Sequence, residues 1–317
     1  VKANRGEEVR IRFNRYADAL SSRARAALAP YRQRLIQWST SGPGQQPYWF
    51  LLPQWLCDTY GGRVKPHGNP ESFLRDVLWA QYCLFLHVRI IDDLFDKQAS
   101  ALSLRMVADD VLIEAERTLL QWMPRNNRSF WSFYRKSLRT TKSAILRVDN
   151  LQRSARTSPQ TILDLYPRVN SMLKIGSVAV CLRLNRPRML ARIERFMDEL
   201  AAGSQVLDDL TDLAEDFERS RYNYVALRLI GENGRNHRGR IQLSELSQQM
   251  IYSSIGDKIL SEVINAFSSA YRVLQPLKIG DANRIARSHN AALMSIREQM
   301  LRRRAEILLG VWNERDV

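Results

Sequence analysis

Apolar residues recur at three- and four-residue spacing through most of this 317-residue chain. That is the period of helices that bury one face. Turn-forming stretches separate the runs: SGPGQQP at 41–47, YGGRVKPHGNP at 60–70, PRNNRS at 124–129, RTSPQT at 156–161 and GENGRNHRGR at 231–240. Period-two alternation bounded by hairpin turns is missing. The pattern predicts an all-α bundle of roughly ten or more helices, several of them long. No internal repeat or low-complexity linker divides the chain, so one domain over residues 1–317 is expected.

Two segments depart from simple amphipathicity. ESFLRDVLWAQYCLFLHVRIIDD, residues 71–93, is apolar almost all round and predicts a central, buried helix. VNSMLKIGSVAVCLRLN, residues 169–185, predicts a second one, with Lys174 in its middle. A buried lysine needs a partner, whereas one at the edge of a bundle snorkels to solvent.

The first of these ends in DDLFD, with Asp92 and Asp96 on one face and Asp93 about 100° round from Asp92. A second acidic run, DDLTDLAED at 208–216, places Asp208, Asp212 and Asp216 at i, i+4 and i+8, one stripe of a continuous helix. Like charges at this spacing repel, so the run costs stability unless something positive offsets it. Solvent suffices for one such face. Two copies, each after an apolar run, point instead to oxygen ligands for magnesium, whose remaining ligands come from water and phosphate.

Charge and cysteine content narrow the picture. The formal net charge is +15, mostly from arginine, which suits an anionic partner. No zinc-finger or RRM pattern is present, so no nucleic-acid partner is expected. Cys57, Cys83 and Cys181 are far apart and odd in number, as in a reduced, cytoplasmic protein. No signal peptide is visible, and the longest apolar run, Val77 to Ile91, contains Gln81, His87 and Arg89, so no transmembrane segment is expected.

With both acidic runs in place, the sequence resembles the class I isoprenoid synthase superfamily: trans-prenyltransferases, squalene/phytoene synthases and class I terpene cyclases. The resemblance covers roughly residues 70–225. It implies the class I terpenoid synthase fold, a helical bundle around a central apolar cavity, with three Mg²⁺ ions, a prenyl diphosphate substrate and a homodimer as the expected partners. DDLFD matches the family's DDxxD, which makes Asp92 and Asp96 metal ligands with Asp93 supporting them. The second run fits three registers. Gln205, Asp208, Asp209 and Asp212 resemble the prenyltransferase QxxDDxxD. Asp212, Glu215 and Asp216, followed by Arg219, Arg221 and Tyr222, resemble the DxxED and RxRxY of squalene/phytoene synthases. Asp208, Asp212 and Asp216 have the spacing of the cyclase motif (N/D)DxxSxxxE, with Asp in place of both Ser and Glu. The resemblance implies catalytic roles for Asp92, Asp96, Asp208 and Asp212, metal contacts from Asp216 also, and diphosphate contacts from Lys174, Gln205, Arg219, Arg221 and Tyr222. LKIGSV has Ile175 where the prenyltransferase helix has threonine, and a paired structural lysine is the other reading of Lys174. Arg219 and Arg221 equally suit a basic helix end that complements the macrodipole.

Val88 and His87 precede Asp92 by four and five residues, positions that set pocket depth in prenyltransferases. Their sizes imply a substrate of C15 or longer. Phe85, Tyr82 and Trp79 are candidates for the cavity wall, and His87 is equally readable as a hydrogen-bonded core histidine. Chain-elongating synthases also carry an Arg pair after DDxxD and an upstream GGKRxRP. Here KQASALSLR follows, and GGRVKP at 61–66 is one residue short. The leading expectation is therefore a magnesium-dependent terpene cyclase. The alternatives are a prenyltransferase, linear or of the squalene/phytoene condensing type, and a non-catalytic diphosphate-binding accessory protein.

Overall fold

A computed structural model describes residues 5–40, 47–61, 69–95, 102–233, 242–279, 293–295, 297–298 and 301–302. They hold fourteen α-helices and no strand. The first six are α1 (Arg5–Asp18), α2 (Ser22–Thr40), α3 (Tyr48–Tyr60), α4 (Pro70–Phe95), α5 (Leu102–Leu120) and α6 (Arg128–Gln152). Short helices α7 (Pro159–Leu163) and α8 (Tyr166–Val169) lead to α9 (Ile175–Arg183) and α10 (Leu190–Thr211). The rest are α11 (Leu213–Glu218), α12 (Tyr224–Asn233), α13 (Leu243–Tyr252) and α14 (Ser254–Leu274). Contacts divide the chain into two compact units. One comprises Val1–Lys142, Asn170–Met197 and Leu277–Asp281; the other comprises Ser143–Val169, Asp198–Pro276 and Ala282–Val317.

In the first unit α4 is the buried helix the sequence predicts. Val77, Leu78, Ala80, Cys83 and Leu84 lose essentially all solvent exposure, and α5 packs along its length. Burial of each large apolar side chain contributes about 1.5–3 kcal/mol. Several polar groups along this core pair with one another. Arg12 of α1 meets Asp76 at 2.6 Å, and Trp122 Nε1 donates to the same carboxylate at 2.9 Å. Trp79 Nε1 donates to Glu114 of α5 at 2.8 Å. Trp79 and Tyr82, expected as possible cavity walls, are 1% exposed and stack on each other, with Tyr82 edge-on to Phe13.

The segment 169–185 is not one helix. A 3-10 turn, Ser171–Lys174, precedes α9, so Lys174 stands at the helix start and not in its middle. Two side chains take up backbone N–H groups at this break. Thr141 Oγ1 accepts from Met172, and Gln81 Oε1, reaching across from α4, accepts from Gly176 at 2.6 Å. Gly176 makes that approach possible, since a Cβ there would lie 2.7 Å from Gln81 Oε1.

In the second unit α14 buries one stripe, including Ile255, Ile259, Val263, Phe267 and Leu274, and packs with α12 and α13. Phe267 lies against Gly203 of α10, where a Cβ would come within 2.8 Å of its ring. Ser253 caps α14 by accepting from Ile255 N at 3.2 Å.

Candidate active site

The first acidic motif forms the last turn of α4. Asp92 is partly exposed, whereas Asp93 turns inward and is 7% exposed. Tyr31 of α2, itself 4% exposed, donates its hydroxyl to Asp93 Oδ2 at 2.7 Å. Burial and this carboxylate push the Tyr31 hydroxyl above its ordinary range, so it stays protonated. Arg89, one turn back, spans the pair, at 3.3 Å from Asp92 Oδ2 and 2.9 Å from Asp93 Oδ1. Carboxylates oppose the macrodipole at a helix C-terminus, and Arg89 offsets part of that cost. Asp96 lies outside the described residues, as does most of GGRVKP.

Lys174 is 7% exposed. Its backbone is fixed to α4 through the Gln81–Gly176 bond two residues on. Phe85 stacks on Trp49 of α3, with ring centroids 4.7 Å apart. Val88 is half-buried on the same helix. His87, readable from the sequence either as pocket wall or as a hydrogen-bonded core histidine, is 2% exposed, and its Nδ1 is 2.7 Å from the Ala108 carbonyl of α5. Beyond Asp92, Ile91, Leu94 and Phe95 line a cavity of about 310 Å³ with Arg105 of α5.

The second acidic motif belongs to the other unit. α10 ends at Thr211 and α11 begins at Leu213, so the stripe of carboxylates crosses a break that the sequence did not suggest. The spacing nevertheless survives, because Asp212 N donates to Asp208 O, and Asp216 N to Asp212 O, both at 2.8 Å. Asp208 and Asp212 are exposed, and Asp216 is half-buried. Asp209 alone turns into the core, 5% exposed, and accepts from the Tyr166 hydroxyl and from Tyr224 N. Burial raises the Asp209 carboxyl well above the usual carboxylate range, although those two bonds oppose it.

Asn223 was missed by the sequence reading and organises this region. It is fully buried. Its Nδ2 donates to the Asp209 carbonyl and to Asp216 Oδ2, both at 2.9 Å, and its Oδ1 caps α12 by accepting from Ala226 N. The Asn-x-x-Ala spacing at the start of an apolar run was the available signal.

The trailing basic residues have partners within their own unit. Arg219 pairs with Glu215 at 2.6 Å. Arg221 reaches Gln152 at 3.0 Å and Asp149 at 3.7 Å. Tyr222 N donates to Gln152 O at 2.6 Å, and its ring meets Phe217 edge-on. Gln205 is half-buried on α10. Residues 234–241, within and after the Gly- and Arg-rich stretch, lie outside the described residues.

Among the described residues no three His, Cys, Asp or Glu side chains converge as on a bound ion. No described helix is long and apolar enough to cross a membrane.

No protein-family model matches the sequence, and no curated protein does. Solved structures do. A polyprenyl synthase, ISP_B, from Roseobacter denitrificans superposes with a TM-score of 0.60 at 12% identity, over 89% of this chain and 99% of that one. A polyprenyl synthetase from Streptomyces coelicolor A3(2) superposes with a TM-score of 0.62 at 14% identity, over 92% of this chain and 97% of that one. The chain thus has the all-α fold of these two proteins.

Proposed function

We propose that this protein is a magnesium-dependent class I terpene synthase, which ionises a prenyl diphosphate of C15 or longer and guides the carbocation to a terpene product. One observation carries the reading. On a fold shared with polyprenyl synthetases, two helices each carry near their C-terminus an Asp-Asp pair that turns one carboxylate inward and leaves its neighbour toward solvent.

The donor set suits the metal. Carboxylate oxygens are the hard ligands magnesium selects, and partly exposed ones leave room for water and phosphate oxygens. The residues that would hold magnesium are Asp92 and Asp96 in the first motif and Asp208, Asp212 and Asp216 in the second. Bound magnesium supplies Lewis acidity that stabilises the departing diphosphate. Lys174, 7% exposed, would add positive charge toward the diphosphate. Arg221, already oriented by Gln152, would orient a phosphate through its planar fork. Phe85 and Trp49 offer aromatic faces to a cation.

The missing Arg pair after DDLFD supports cyclisation over chain elongation. The likeness to polyprenyl synthetases favours a second reading, prenyl transfer to isopentenyl diphosphate. Incubation with magnesium and farnesyl or geranylgeranyl diphosphate, with and without isopentenyl diphosphate, separates them. Hydrocarbon formed without isopentenyl diphosphate supports the synthase, and a longer diphosphate formed only with it supports transfer. No turnover, or full activity in Asp92→Ala, would overturn the metal-site reading.

A further inference from the structure

The two acidic motifs share a device that the sequence does not announce. In each, the second aspartate is buried and accepts a bond from a buried tyrosine hydroxyl: Tyr31 to Asp93, and Tyr166 to Asp209. In each, that aspartate stands two residues before the end of its helix, at Phe95 in α4 and Thr211 in α10. The tyrosines come from unrelated parts of the chain, α2 and α8, and each pair lies within its own unit.

The last turn of a helix is where backbone order is weakest, and where carboxylates sit least favourably on the macrodipole. Consecutive side chains point about 100° apart. Fixing the second carboxylate against the core therefore fixes the azimuth of the first, which then has one outward direction. A phenol is well matched to this role, because its pKa keeps it a donor at neutral pH and its ring buries where an ammonium would not. In the second motif the fixation extends further, because Asn223 joins the Asp209 carbonyl to the Asp216 carboxylate across the helix break.

We propose that Tyr31 and Tyr166 are positioning residues, which act through Asp93 and Asp209 to aim Asp92 and Asp208 outward, each as a metal ligand of its own motif. The assignment rests on the functional reading above and makes Asp93 and Asp209 anchors in place of ligands.

The test is Mn²⁺ binding in the presence of inorganic diphosphate, followed through the spin-resonance signal of free Mn²⁺. Wild type, Tyr31→Phe, Tyr166→Phe and the double variant are compared, each shown to be folded by circular dichroism. Loss of a partner bonded directly to a ligand typically weakens metal binding about 10- to 100-fold; the tyrosines act one residue further out, so each single variant is expected at the lower end, about 10-fold. The double variant should bind more weakly than either single variant. Tyr134→Phe removes another buried hydroxyl, one beside Glu116, and should bind as wild type does. Because the two tyrosines lie in separate units, either single variant tests the idea if the other does not fold. Wild-type affinity in the folded variants overturns the proposal alone. Absence of Mn²⁺ binding by the wild type overturns the metal-site reading and the proposal with it.

Discussion

Tyr31 and Asp93 face each other across 2.7 Å, joining α2 to the last turn of α4 by one hydrogen bond between buried groups. Replacing Tyr31 with Phe keeps the ring and removes the donor. Hydrogen bonds to charged groups contribute about 1.5–3 kcal/mol, and Tyr31→Phe should lose an amount in that range. Urea unfolding of the purified protein measures it. An unchanged midpoint would mean that Arg89 alone satisfies the carboxylate.

Asn223→Ala should be more damaging. It removes the cap of α12 and takes one donor each from the Asp209 carbonyl and the Asp216 carboxylate. The cap alone contributes about 1 kcal/mol, and a buried acceptor that loses its donor costs about 1–3 more. A loss of at least about 2 kcal/mol is expected in denaturant titration. Asn223→Asp keeps the capping oxygen but adds a negative charge beside Asp216, so it should not restore stability.

Gly176→Ala places a methyl group 2.7 Å from Gln81 Oε1. Overpacking of this kind costs about 1–3 kcal/mol. The loss should shrink in the Gln81→Ala background, where the clashing atom is gone. A double-mutant cycle of thermal stability reads this directly, and strict additivity would contradict the close approach.

His87 gives a pH dependence of definite sign. Burial lowers its pKa below the ordinary 6.5, with the Ala108 carbonyl opposing and Lys142 adding to the shift. Asp109 is the other charge that faces it, and it opposes the shift. The unfolded chain therefore binds a proton that the folded ring refuses. The contribution is full above pH 6.5 and is lost as pH falls through the window below it. His87→Gln should flatten the decline between about pH 7.5 and about pH 5.5 in chemical unfolding. An equal slope in the variant would remove His87 as its source.

Val88→Phe should shift substrate preference toward shorter prenyl diphosphates, because it adds bulk one turn before Asp92. Competition between geranyl, farnesyl and geranylgeranyl diphosphates measures the shift. An unaltered preference would place the pocket wall elsewhere.

Periodicity was enough to foresee an all-α fold and the buried character of α4, because burial of one helix on all sides leaves a run of apolar residues with few interruptions. The two acidic runs stand out in the sequence by their aspartate spacing, and their metal-binding role is the proposal made above. Periodicity was blind to partners brought from afar. Tyr31 and Tyr166 look like any core tyrosines in the sequence, since their roles depend on which carboxylate they meet. The breaks before α9 and after Thr211 escaped notice for a related reason. No Pro marks either one, and side chains from Gln81, Thr141 and Asn223 supply the bonds that hold these regions. His87 shows the ambiguity of a polar residue in an apolar helix: spacing put it beside Val88, and the fold turned its ring to α5.

The bond from Gly176 to Gln81 also bears on inheritance of function. A reader comparing this chain with others by its acidic motifs alone would overlook position 81, eleven residues before Asp92 on the same helix. Yet that amide sets the registry between α4 and the turn that presents Lys174. A change there would move a cation relative to the carboxylates while leaving every charged residue in place.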